Sequence, residues 1–102
     1  MAFIQRLEKN ITKLEKRITR EQARISKLEE KCDSKKITRA DFNIKRRECD
    51  ERIRGMNSRI MTLKGGIVRE KKHIEERQEE KDKKREEKEK KKERAEKKEK
   101  KQ

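Results

Sequence analysis

Apolar residues recur at alternating steps of three and four along the first third of the chain, and the residues between them are almost all polar. This heptad spacing is typical of a helix that packs in a coiled coil through one narrow apolar stripe. Glu21 stands at a position where the spacing calls for an apolar side chain. The predicted core residues of this first helix are Ile4, Leu7, Ile11, Leu14, Ile18, Ile25 and Leu28.

A second series with the same spacing follows a short polar interval and predicts a second helix of similar length. Gly55, Gly65 and Gly66 fall within it, and glycine weakens a helix interior. They indicate either a hinge or a close approach of another backbone. The predicted core residues of the second helix are Phe42, Cys49, Ile53, Met56, Ile60, Leu63 and Ile67.

Residues 33–38 lie between the two series and are predicted to form a turn. Asp33 and Ser34 compete for backbone hydrogen bonds, which disfavours continuing the first helix. Short connections favour antiparallel helices. The expected fold class is therefore all-α, with an antiparallel coiled-coil hairpin over residues 1–70.

The start of the second helix has its own signal. Thr38 precedes Asp41 by three residues, so its hydroxyl can accept a hydrogen bond from the Asp41 amide. Ile37, just before this cap, can pack on Phe42 as a hydrophobic staple. The second helix should therefore begin near Arg39.

The remaining residues, 71–102, are predicted to form a charged tail. After Ile74 its only apolar residue is Ala95. Glutamates followed four residues later by lysines favour a single solvated helix that continues the second helix of the hairpin. Disorder is the alternative.

Composition supports a thin core and a polyanionic partner. Charged residues make up 57% of the 102 residues, hydrophobic residues 25% and aromatic residues 2%, and the net charge is +14. Such a positive chain favours nucleic acid or an anionic surface as partner. No stretch is apolar enough for a signal peptide or a transmembrane span, so we expect a cytoplasmic protein and disfavour a membrane partner.

Basic residues of the two predicted helices face each other along one flank in the antiparallel register. We call this flank the basic ridge: Arg17, Arg24, Lys31, Lys45, Arg52 and Arg59. Like charges destabilise an isolated hairpin, and phosphates would compensate them. The alternative is that these long side chains remain solvated and cover the seam, which is the line of apolar contacts between the two helices. The predicted nucleic-acid-binding residues add two neighbours to the ridge, giving Arg17, Arg20, Arg24, Lys27, Lys31, Lys45, Arg52 and Arg59.

The region around the turn also resembles a known family. Residues 25–53, "ISKLEEKCDSKKITRADFNIKRRECDERI", are similar to the SHOCT module, in which a helix and brief turn precede Ile/Leu-Thr, an acidic-aromatic pair and a basic second helix. SHOCT modules are generally considered oligomerisation elements. The resemblance implies self-association.

Together these features predict a basic coiled-coil protein that binds nucleic acid through its phosphate backbone. Structured RNA, such as that of the ribosome, is favoured over DNA, without sequence specificity. The alternative is a self-associating coiled-coil scaffold, and we expect a homo-oligomer in either case. His73, Cys32 and Cys49 lack the spacing of a zinc site, and no catalytic set is present, so we expect neither cofactor, metal nor enzymatic activity.

Overall fold

The computed structural model describes residues 2–100, with side chains as far as Lys98, and consists of two helices. Helix α1 spans Ala2–Asp33 and helix α2 spans Arg39–Lys100. The all-α hairpin predicted from the heptad spacing is confirmed. The helix α2 runs through Gly55, Gly65 and Gly66 without a break. None of these glycines therefore forms a hinge in this structure.

The chain leaves α1 through hydrogen bonds of the Schellman type. The Lys36 amide donates to the Lys31 carbonyl at 2.8 Å, and the Lys35 amide donates to the Cys32 carbonyl at 3.0 Å. Lys35 itself adopts a φ of 62°. This value lies in the left-handed region, where glycine is the usual residue. These bonds satisfy carbonyls at the helix end and turn the chain towards α2.

The start of α2 follows the expected capping pattern. The Asp41 amide donates to Thr38 Oγ1 at 3.1 Å, and its carboxylate lies in the first turn of the helix, where the helix dipole favours negative charge. Ile37 is half-buried against the cluster that contains Phe42. Cap and staple together fix where α2 begins.

The seam between the helices contains two apolar clusters. Every predicted core residue is buried or half-buried. The cluster far from the turn is formed by Ile11, Leu14, Ile18, Met56, Ile60, Leu63 and Ile67. The cluster beside the turn is formed by Ile25, Leu28, Cys32, Ile37, Phe42 and Cys49. Residues from the two helices meet in antiparallel order in both clusters, as the heptad register predicts.

Arg46 lies between Phe42 and Cys49 in the heptad series of α2, at a position where the spacing predicts an apolar residue. Its guanidinium carbon lies 6.0 Å from the centre of the Phe42 ring, a distance at which cation–π attraction operates. The guanidinium also lies 3.8 Å from carboxylate oxygens of Glu29 and Asp50. The charged end thus reaches the surface while the seam beneath it is closed by Phe42.

The contacts divide the chain into two units, one ending at Ile67 and the other starting at Val68. In the second unit the charged tail is helical as far as Lys100, which confirms the helix rather than disorder. Arg77 Nη2 donates to Glu70 Oε1 at 3.2 Å within it. The tail prediction for residues 101 and 102 lies outside the described residues.

The left-handed turn residue generates a stability prediction. Lys35→Gly should stabilise the hairpin by about 0.5–1 kcal/mol, because glycine removes the Cβ strain at positive φ and this gain exceeds its larger unfolded-state entropy. Thermal unfolding followed by circular dichroism measures the effect. Ser34→Gly is the matched control, since the φ of Ser34 is not positive, and it should not stabilise. A lower melting temperature for Lys35→Gly would refute this account of the turn.

Candidate nucleic-acid interface

An open groove of about 530 Å³ lies between α1 and α2, partway along the hairpin. Each helix supplies part of its lining, so the groove exists only when the two helices are paired. Guanidinium groups dominate that lining. The residues that form it are Leu14, Arg17, Arg20, Glu21, Arg24, Arg52, Gly55, Met56 and Arg59. We call it the arginine groove.

Five of the eight predicted nucleic-acid-binding residues lie in this groove, and all eight are exposed. The five arginines come from both helices. Lys27, Lys31 and Lys45 are exposed nearer the turn and do not line it. The structure thus concentrates the arginines of the predicted set in one place and leaves the lysines outside.

Glu21 occupies the seam position that the heptad spacing marks as irregular, and its side chain is only 13% exposed. Its Oε2 accepts a hydrogen bond from Arg52 Nη2 of α2 at 3.1 Å. Its Oε1 accepts another from Arg24 Nη1 of α1 at 3.3 Å. One carboxylate therefore ties the two helices together and holds two guanidinium groups beside the groove.

This carboxylate changes the charge argument made from the sequence. The facing basic residues were expected to need phosphates for compensation, yet Glu21 already supplies one internal counter-ion. Sequence reasoning noted its irregular position but missed its role. The antiparallel register contains this information, because pairing Ile18 with Met56 places Glu21 in the same layer as Ile53, directly beside Arg52.

The protonation states at this site follow from the same contacts. The hydrogen bond from Arg52 is the main cause that lowers the pKa of Glu21, and burial opposes it. The reciprocal bond raises the pKa of Arg52. Burial raises the pKa of the Cys49 thiol, whose sulfur accepts a hydrogen bond from Arg52 Nη2 at 3.3 Å. At neutral pH the site therefore holds a carboxylate, a guanidinium and a neutral thiol.

Three arginines of the groove remain available for a ligand. Arg17, Arg20 and Arg59 form no ion pair among the side chains of residues 2–98. A guanidinium presents a planar fork of N–H donors that matches phosphate oxygens. Five guanidinium groups around one carboxylate leave the groove strongly positive, which suits an anionic ligand.

The floor of the groove is partly apolar. Leu14 and Met56 belong to the cluster far from the turn and also line the groove. Gly55 adds no side chain, and a Cβ placed there would have no atom within 4 Å apart from its chain neighbours and the adjacent backbone of its own helix. The groove therefore combines a charged rim with an open, apolar base.

No three His, Cys, Asp or Glu side chains in the described part of the chain are grouped to hold a metal ion. Cys32 and Cys49 are free thiols. No helix in residues 2–100 combines the length and apolar character needed to cross a membrane.

Comparisons with known proteins give no family for this chain. No family model, no curated protein and no solved structure matches it. The resemblance of residues 25–53 to the SHOCT module therefore stays a prediction from the sequence.

The central carboxylate generates a pH prediction. Because folding lowers the pKa of Glu21, its stabilising effect is complete above the ordinary value of 4.5 and is lost as the pH falls through the lowered pKa. Glu21→Gln should lower the melting temperature by several degrees at neutral pH. The difference from wild type should shrink as acid protonates Glu21.

A matched control distinguishes the ion pair between Glu21 and Arg52 from the general effect of removing one negative charge. Glu29 is 52% exposed and lies 3.8 Å from Arg46, a distance and exposure at which ion pairs contribute little. Glu29→Gln should leave the melting temperature nearly unchanged at every pH. Equal changes in melting temperature for the two substitutions would contradict the role of Glu21 as the carboxylate that pairs the helices. A decrease in the melting temperature of Glu21→Gln that does not vary with pH would also contradict it.

Proposed function

We propose that this chain is a non-enzymatic nucleic-acid-binding module that docks on backbone phosphates through the arginine groove. The supporting observation is the meeting of five arginines from two helices around one open groove. Structured RNA, such as that of a ribosome, is the favoured partner and DNA the second choice. A cytoplasmic location is part of the same proposal.

Electrostatics support phosphate binding rather than sequence reading. Phosphate contacts release counterions and supply most of the affinity of a basic protein for nucleic acid, regardless of sequence. The chain has two aromatic residues, and one of them, Phe42, is only 3% exposed. The aromatic stacking platforms that read single strands in many RNA-binding modules are therefore not part of this proposal.

The proposed function has no catalytic step. The Cys49 thiol is buried and its pKa is raised, which disfavours the reactive thiolate. His73 Nδ1 lies 4.0 Å from Glu76 Oε2 within the second unit. Neither residue lines the arginine groove.

A self-associating coiled-coil scaffold is the second candidate. It is favoured by a seam that two helices do not fully cover, because eight predicted core residues remain partly exposed. These are Ile4, Leu7, Ile18, Ile25, Ile53, Met56, Leu63 and Ile67. Pairing of two hairpins would bury this surface further. The SHOCT resemblance and the expected homo-oligomer belong to this candidate, which is compatible with the first.

The salt dependence of RNA binding tests the leading proposal. Wild-type protein should bind structured RNA tightly at about 50 mM salt, and log affinity should fall linearly with log salt concentration. Arg17→Gln with Arg59→Gln should weaken binding by about a hundredfold, since hydrogen bonds to charged groups contribute about 1.5–3 kcal/mol each. The slope of log affinity against log salt concentration should become less steep by about two units, because two phosphate contacts are lost.

The tail offers a matched control of equal charge change. Arg85 and Arg94 are exposed residues of the second unit, and Arg85→Gln with Arg94→Gln should have a much smaller effect. Equal losses from the two double variants would refute the groove as the binding site. If wild type bound no RNA at this salt concentration, the scaffold candidate would replace the leading one.

A further inference from the structure

The arginine groove has two features that phosphate binding alone does not require. Its base is lined by apolar atoms of Leu14 and Met56, and its α2 wall carries a glycine at position 55. Phosphates are held by charged and hydrogen-bonding groups. An apolar base under a basic rim is suited to a ligand that joins a charged part to a flat apolar part.

Helix packing does not account for Gly55. Glycine inside a helix destabilises it relative to alanine, and a Cβ at this position would contact nothing beyond the adjacent backbone of its own helix. The situation differs at Gly66, where an added Cβ would lie 3.5 Å from Leu7 Cδ1 of the facing helix. What the glycine at position 55 does provide is free space in the wall of the groove.

The two arginines bound to Glu21 are suited to flank a planar ligand. Glu21 holds Arg24 from one helix and Arg52 from the other, so these guanidinium groups are ordered before any ligand binds. Guanidinium planes stack on nucleobases as well as on aromatic side chains. Arg17, Arg20 and Arg59, which have no ion-pair partner in residues 2–98, remain for phosphates.

We propose that the arginine groove receives one unpaired nucleotide of RNA, with its base over Gly55 and against Leu14 and Met56. The neighbouring phosphates bind the arginines of the rim. A base inside a duplex is stacked on both faces and cannot enter, whereas a bulged or loop nucleotide can be turned out. This inference rests on the proposed function and narrows its partner to RNA with unpaired nucleotides.

Two RNAs of equal phosphate number test the inference. One is a fully paired hairpin, and the other carries a single-nucleotide bulge in a stem shortened to match. Fluorescence anisotropy with the full chain should show about tenfold tighter binding to the bulged RNA, because removing the apolar face of one base from water against Leu14 and Met56 contributes on that scale. Salt should weaken both complexes similarly, since the phosphates are equal in number.

Substitutions at position 55 test whether the unpaired nucleotide binds in the arginine groove. Gly55→Leu fills the free space with a good helix former, so it should bring the ratio of the affinities for the bulged and the paired RNA, both measured with this variant, close to one. Gly55→Ala adds one methyl group and should keep the preference. Asn57→Leu adds a leucine at an exposed position outside the groove lining and should also keep it. Circular dichroism checks that each variant retains the helical fold.

The outcomes separate this inference from the function on which it rests. Equal binding of both RNAs by wild type would overturn the unpaired-nucleotide inference and leave phosphate binding intact. A bulge preference that survives Gly55→Leu would show that the nucleotide binds elsewhere, which also overturns the inference. Binding of neither RNA would overturn the proposed function itself.

Discussion

The hairpin depends on an apolar seam that is one side chain wide on each helix. Only six hydrophobic residues are buried in the described part of the chain, and 57% of the sequence is charged. A seam this narrow leaves charged residues directly at its edges on both helices. Pairing the helices to bury the apolar stripe therefore also brings arginines of α1 and α2 together. Stability and the positive surface arise from the same packing.

Glu21 links that packing to the candidate interface. It divides the seam into two apolar clusters and uses the position of a missing apolar residue to hold Arg24 and Arg52. An apolar residue there would leave both guanidinium groups without this partner. The exposure of the two guanidinium groups limits the stabilisation from these ion pairs to an effect of a few degrees in the melting temperature of a small domain. Its larger consequence is to fix the position of two donors beside an open groove.

Much of the fold could be predicted because it depends on local patterns. Heptad spacing indicated both helices, and Thr38 with Asp41 indicated the start of α2. The left-handed Lys35 gave no such signal, since a lysine at that position does not announce positive φ. The basic flank was visible in the sequence, but the groove was not. Its shape depends on the contact of Glu21 with Arg52 and on empty space beside Gly55, which are properties of the paired helices.

The central claim, that groove arginines contact RNA, is tested most directly by NMR of the arginine Nε–Hε groups. During titration with structured RNA, the resonances of the five groove arginines should shift and saturate together. The resonances of Arg77, Arg85 and Arg94, which lie in the second unit, should move little over the same range. Uniform shifts in both sets, or shifts confined to the second unit, would show that general positive charge binds the RNA and would contradict the account.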